Sequence, residues 1–216
     1  MSDDRPRRGR QAEALRNDTL VLDAARAVFA EGGADAPIAA VAERAGVGMG
    51  TLYRRYGGKD ELLQKLCLLS LEQNLAAAAG ALAAATAWEG LCDYVRTCVG
   101  LAVGAFGPLA GEIEATAEMT RLARAVRRRV TALAGRAQEA GDLRADANAI
   151  DVLQLIERLS RAFPPSGDPA EEATRRRQVE IALAGLRAGA REPLPGPAPR
   201  PGDYERRWTR PRPAAS

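Results

Sequence analysis

The stretch from Ala45 to Lys59 limits the folds open to this chain more than any other. It reads Ala-Gly-Val-Gly-Met-Gly-Thr-Leu-Tyr-Arg-Arg-Tyr-Gly-Gly-Lys. Gly46 stands where a left-handed residue ends a preceding helix, and Val47 places an apolar pin across the turn. The pair Gly57-Gly58 then stops a helix barely two turns long. Between Glu43 and Asp60 the charged residues are Arg44, Arg54, Arg55 and Lys59, with no acid among them. A buried structural helix rarely looks like that. A helix that meets phosphate does.

The flanking periodicity is helical throughout. Leu15, Thr19, Leu22, Ala25 and Phe29 step by three and four, which predicts an amphipathic helix from Gln11 to Glu31 that Gly32-Gly33 ends. A short helix is expected from Pro37, a residue suited to the first helical position, with Ile38, Val41, Ala42 and Ala45 inward. The third helix is expected over Met49–Arg55, with Tyr56 beneath it as core and Tyr53 facing out. A long fourth helix starts at Lys59, with Leu62, Leu63, Leu66 and Leu69 along one side.

Beyond it, Leu91, Val95, Cys98 and Ala102 predict a helix from Trp88 to Val103, interrupted by Gly104–Gly111. Leu122, Val126, Val130, Leu133 and Ala137 make the next stripe, opposite Arg121, Arg124, Arg127 and Arg128. A turn at Gly141–Asp146 leads to a stripe of Val152, Leu155, Ile156, Leu159 and Phe163. After the break at Pro164–Gly167, Val179, Leu183, Leu186 and Ala190 make the last one. The Pro- and Arg-rich tail, 191–216, is expected to lack regular structure, although Tyr204 and Trp208 are available to dock. There is no internal repeat.

Composition narrows the function. Residues 1–60 carry 10 cations and 9 acids, 61–186 carry 14 and 16, and 187–216 carry 7 and 3. A middle segment at −2 argues against a general polyanion-binding architectural protein, and the small overall charge of +3 favours a local basic footprint. The chain has no histidine, so Ser-His-Asp and Cys-His catalysis and His-ligated metal sites are excluded. With no supporting motif left, the chain reads as a non-enzyme, without cofactor or metal. Three cysteines, Cys67, Cys92 and Cys98, without a C-x-x-C pair read as reduced core residues. No run of 18 uninterrupted apolar residues predicts a membrane span, and Arg5, Arg7, Arg8 and Arg10 precede no apolar signal region. A cytoplasmic location without membrane contact is therefore expected.

Two strings carry a more specific resemblance. Val-Leu-Asp-Ala-Ala-Arg-Ala-Val-Phe-Ala-Glu-Gly-Gly (Val21–Gly33) is followed by Ile-Ala-Ala-Val-Ala-Glu-Arg-Ala-Gly-Val-Gly-Met-Gly-Thr-Leu-Tyr-Arg-Arg-Tyr-Gly-Gly-Lys-Asp-Glu-Leu-Leu (Ile38–Leu63). Together they resemble the N-terminal DNA-binding domain of the TetR family of bacterial transcriptional regulators, over about a quarter of the chain. The resemblance implies an all-α fold: a three-helix helix-turn-helix domain, then a larger helical ligand-binding and dimerisation domain. The expected limits are a basic disordered arm at 1–10, the DNA-binding domain at 11–60, the regulatory domain at 61–190 and the tail at 191–216.

The same resemblance implies the site residues. Tyr53 and Lys59 map to phosphate contacts, and Gly48, Met49, Gly50, Arg54 and Arg55 to base-reading positions, with the Thr51 hydroxyl beside them. The family's hydroxyl at the start of the second helix is replaced by Pro37, where only backbone groups remain to meet phosphate. The partner is double-stranded DNA carrying a palindromic operator. The last two helices are expected to form a homodimer seam of Val152, Leu155, Ile156, Leu159, Phe163, Val179, Leu183 and Leu186. The middle helices are expected to hold an unknown hydrophobic or amphipathic small-molecule effector, with Cys67, Leu71, Trp88, Cys92, Val95, Phe106, Met119 and Leu122 as candidate lining. The function implied is that of a repressor released from its operator by the effector. The alternative is a thiol-responsive regulator using Cys67, Cys92 or Cys98.

Overall fold

A computed structural model of the chain describes residues 20–29, 31–106, 113–164, 166–189 and 192–209. The described chain is all-α, without a strand. It divides into two compact units between Leu66 and Cys67, inside a helix rather than at the expected boundary near residue 60. The arm at 1–10, along with Leu15, Thr19 and Ala190, lies outside the described residues.

In the first unit, α1 (helical at 20–29) buries Val21, Ala24, Ala25, Val28 and Phe29; Ala25 and Phe29 of the expected stripe are among them, while Leu22 is half-buried and Val21 takes its place. A 3₁₀ turn, Gly33–Asp35, leads to α2, Ile38–Ala45. Pro37 is the extended residue before the helix (φ −71°, ψ 136°) and not its first turn, one position earlier than its role was expected to start. Val41 and Ala42 are buried, while Ile38 and Ala45 are half-buried. The exit from α2 is a complete Schellman closure. Gly46 N–H donates to Glu43 O at 3.1 Å and Val47 N–H to Ala42 O at 3.0 Å. Gly46 takes φ +66° there, a left-handed conformation that costs any side chain free energy.

After α3, Met49–Tyr56, the long α4, Lys59–Leu82, carries the chain across the unit boundary. Leu62, Leu63 and Leu66 are buried, and Leu69 is half-buried.

The second unit packs α5 (Ala87–Gly100), α6 (Ala117–Glu139), α7 (Ala149–Ala162) and α8 (Pro169–Leu186) with the rest of α4 around one core. Each has a start signal. The Thr86 hydroxyl accepts from Glu89 N–H at 3.1 Å, the Thr116 hydroxyl from Met119 N–H at 3.1 Å, and Asp168 from Ala170 N–H at 2.8 Å. Asn148 and Asp151 make a reciprocal capping box.

The α5 helix ends at Gly100, three residues short of expectation. Val103 N–H donates to Cys98 O and Ala102 N–H to Val99 O, both at 3.0 Å, a Schellman closure with alanine at φ +51°. No glycine marks that position, which is why the sequence pattern runs past it. Gly104 follows in the turn, and a Cβ on it would lie 2.5 Å from the Cα of Glu157. This segment therefore presses directly on the backbone of α7.

The tail departs most from expectation. Pro201–Thr209 form a further helix, α9, with proline at its start and an Asp203–Arg206 ion pair along its first turn. Tyr204 packs against the core of the second unit. The chain leading to α9 is strapped down on the way. Arg144 Nη2 donates to Glu192 O at 2.8 Å, Leu194 N–H to Asp146 Oδ2 at 2.7 Å, and Asn148 Nδ2 to Pro199 O at 2.9 Å. The Arg144 guanidinium and the Leu194 N–H hold the Asp146 carboxyl down at about 2. A tail rich in proline can be ordered this way because backbone carbonyls and side-chain caps supply the hydrogen bonds that a regular ladder would. The side chain of Trp208 lies outside the described residues.

Candidate nucleic-acid interface and ligand cavity

The α3 helix has two unlike faces. Leu52 (0% exposed) and Tyr56 (8%) anchor it inward, while Tyr53 is 50% exposed and Arg54 and Arg55 face out beside it. Met49 and Thr51 are half-buried, and Gly48, Gly50 and Pro37 are exposed. The helix has no side-chain N-cap. Its first amides are thus left to an outside acceptor, and the positive end of its dipole favours an anion there. A Cβ on Gly48 or Gly50 would meet nothing within 4 Å, so no packing among the described residues requires either glycine. What they provide is a low outer profile.

Lys59 opens α4 with its ammonium 5.9 Å from the centre of the Phe29 ring, close enough for a cation–π contact that limits the wandering of a flexible side chain. Arg44 is paired with Glu31 at 3.0 Å, which removes it from the free positive charge of the region. Of the other cations in the acid-free stretch, Arg54 and Arg55 are exposed and Lys59 is half-buried.

The second unit contains a cavity of about 240 Å³. Of the candidate pocket residues, Cys67, Leu71, Phe106 and Met119 line it. Trp88, Cys92, Val95 and Leu122 do not. Cys92 and Val95 are spent on the core of α5, Leu122 is buried outside the cavity wall, and Trp88 stacks under the Arg187 guanidinium at 4.8 Å. The sequence reading missed the polar wall: Ser70 and Asn74 on α4, Arg124 and Arg127 on α6, Glu157 on α7 and Tyr204 on α9. Ser70 and Asn74, four apart on an otherwise apolar face, and Glu157, an acid within the Val152–Ser160 stripe, were visible signals for it. Nothing local points to Tyr204.

The expected dimer stripe is split. Val152, Ile156, Val179, Leu183 and Leu186 are buried in their own unit's core, and Ile156 also lines the cavity. They cannot at the same time face a partner. Leu155, Leu159 and Phe163 are half-buried, and Ile181, which was not among the candidates, is 54% exposed. Leu155 and Leu159 pack at the margin of the same core.

The thiol alternative fails on burial. All three cysteines are free and buried. Desolvation pushes Cys67 and Cys98 up to about 12 and raises Cys92 as well, so none offers the thiolate that oxidation needs. Among the described residues no helix is long and apolar enough to cross a membrane, and no three carboxylate, cysteine or histidine groups gather to hold a metal ion.

Residues 21–66 match the family model described as bacterial regulatory proteins, tetR family. Residues 84–188 match that of the SbtR-like transcriptional regulator C-terminal domain. Among solved structures, a TetR transcriptional regulator of Streptomyces coelicolor is 26% identical, with a TM-score of 0.52 over 80% of this chain and 99% of the other. A TetR regulatory protein of Mycobacterium vanbaalenii is 27% identical, with a TM-score of 0.53 over 82% and 99%. A ketosteroid transcriptional regulator of Mycobacterium tuberculosis shares the fold at 21% identity, with a TM-score of 0.58 over 80% and 95%. No curated protein matches the chain.

Proposed function

The chain belongs to the TetR family of DNA-binding transcriptional regulators, and from that premise we propose that it is a homodimeric repressor released from a palindromic operator by a small molecule. The observation that carries the DNA half of this reading is the division of α3, with Leu52 and Tyr56 inward and Tyr53, Arg54 and Arg55 outward. In the proposed complex the outer face of α3 enters the major groove. Met49 and Thr51 meet base edges, Arg54 and Arg55 reach guanine or phosphate, and Tyr53 and Lys59 hold the backbone. Gly48 and Gly50 let the helix start come close, and the backbone amides that follow Pro37 at the start of α2 face a neighbouring phosphate.

One such helix reads few base pairs, so two copies are needed, with half-sites about 34–36 Å apart or a multiple of that. The seam is assigned to the outer edges of α7 and α8, around the half-buried Leu155, Leu159 and Phe163 and the exposed Ile181. The effector half rests on the cavity. The α4 helix carries Lys59 at its first residue and Cys67, Ser70, Leu71 and Asn74 along the cavity wall. A ligand that displaces α4 thereby displaces the helix that begins at a phosphate anchor.

Footprinting the purified protein on the DNA upstream of its own gene tests the reading. A protected two-fold sequence is expected, with a dimer in sedimentation at micromolar concentration. Protection of a single unsymmetrical half-site by a monomer would sink it.

A further inference from the structure

The effector cavity has a feature that a plain apolar pocket lacks. Ser70 is 5% exposed, it lines the cavity, and its Oγ has no hydrogen-bond partner among the described residues. A buried hydroxyl left unpaired is costly, which makes it a natural place for a bound polar atom. One turn along α4, the Asn74 Oδ1 accepts from the Tyr94 hydroxyl at 2.6 Å. The Asn74 side chain is thereby fixed in orientation at the same wall. The remaining lining is mostly apolar, with Leu71, Phe106 and Met119 among it.

Charge on the wall is mixed. Glu157 is buried at 6% exposure, while Arg124 is exposed and Arg127 half-buried. A ligand charge of either sign would meet a like charge in the wall, and desolvating it there is expensive. Size adds a limit. A cavity of about 240 Å³ lies between the roughly 150 Å³ that accepts benzene and the roughly 300 Å³ at which drug-sized sites begin.

The last wall comes from outside the matched regulatory domain, which ends at residue 188. Tyr204 of α9 lines the cavity and packs on the core. It is delivered there by the strap that Arg144, Asp146 and Asn148 pin through Glu192, Leu194 and Pro199. We propose that this cavity is a composite site, closed by Tyr204 of the C-terminal helix, for an uncharged amphipathic molecule of one or two rings whose oxygen pairs with Ser70. The proposal rests on the reading of the cavity as the effector site. It adds the ligand class, and makes the C-terminal segment part of the specificity of that site.

Three probes of one shape test it by calorimetry on the full chain: naphthalene, 2-naphthol and 2-naphthoate. We expect 2-naphthol to bind about fivefold tighter than naphthalene, the worth of one buried neutral hydrogen bond, with the naphthoate weakest. Ser70→Ala should erase the preference and leave naphthalene affinity intact. Tyr204→Ala should weaken both neutral probes about tenfold, as loss of an aromatic anchor does. Asp146→Asn, which touches the strap and not the cavity, should weaken them in the same direction, with melting curves confirming that each variant is folded.

No binding of 2-naphthol, a naphthoate preference, or affinities indifferent to Ser70 and Tyr204 would each overturn the proposal. Operator release by 2-naphthol is read in parallel. Binding with the expected pattern but without release supports the composite site and counts against the effector reading. Release that ignores Ser70 and Tyr204 does the reverse.

Discussion

The outer face of α3 and the wall of the cavity are opposite solutions to building a site. On α3 the proposed DNA contacts are residues the fold does not use: Tyr53 and Arg54 project from a helix anchored by Leu52 and Tyr56, and among the described residues nothing lies within 4 Å of a Cβ added at Gly48 or Gly50. In the cavity the site residues are polar groups set where the fold alone would favour apolar ones, Ser70 and Glu157 inside a helical core. The first kind of site is added to a stable scaffold at little cost. The second is carved from the core and weakens it. Function and stability should therefore separate cleanly on α3 and stay coupled around the cavity.

The strongest attempt to break that contrast sets neighbours against each other. Leu52→Ala should lose about 2–5 kcal/mol in denaturant unfolding, because it empties a fully buried site. Tyr53→Ala should stay within about 0.5 kcal/mol of the parent, as exposed substitutions do. It should nonetheless lose about tenfold or more in operator affinity, the range for a hydrogen bond to a charged group. If Tyr53→Ala unfolded the protein as Leu52→Ala does, α3 would have one role and not two.

Gly50→Ala is a smaller and sharper case. Glycine costs up to about 1 kcal/mol relative to alanine in a helix interior and less in the first turn, where Gly50 stands; the added Cβ meets nothing within 4 Å, so the melting temperature should rise slightly while operator affinity falls. A rise in both would remove Gly50 from the interface. Ser70→Ala, its counterpart in the cavity, should shift stability by less than about 1 kcal/mol, toward the more stable side, since it deletes a buried unpaired hydroxyl. The smallest effect is expected from peroxide. With Cys67 and Cys98 pushed up to about 12, operator binding by a Met49→Leu variant, which removes the methionine that peroxide would oxidise at the interface, should superimpose before and after treatment, as gel-shift titrations would show.

The same contrast explains what the sequence made legible. The α3 site is local: Gly46, the Gly57-Gly58 stop and the cations between them lie within a few turns of chain, so their spacing reveals both the helix and its outward chemistry. Gly46 indeed takes the left-handed turn the pattern demands. The cavity is assembled from α4, α6, α7, α9 and the turns after α5, so no short spacing encodes it. Apolar residues such as Val95 and Leu122 look the same in a core as in a pocket wall. The stripe on α7 was likewise ambiguous, since Val152 and Ile156 face the core and Leu155 and Leu159 the edge. The α9 helix was missed because proline and arginine content suggests an irregular tail, whereas distant partners at Arg144, Asp146 and Asn148 order it.

The outward Arg54 of α3 is expected to bind DNA without serving the fold. Titrating the footprinted operator over a range of salt, with the parent protein and Arg54→Ala compared at equal unfolding free energy, tests it most directly. A phosphate contact by Arg54 predicts a salt slope lower by about 0.9 per subunit, and a base contact predicts an unchanged slope with selectivity relaxed at one position in each half-site. Identical affinity, slope and sequence preference in the two proteins would contradict it.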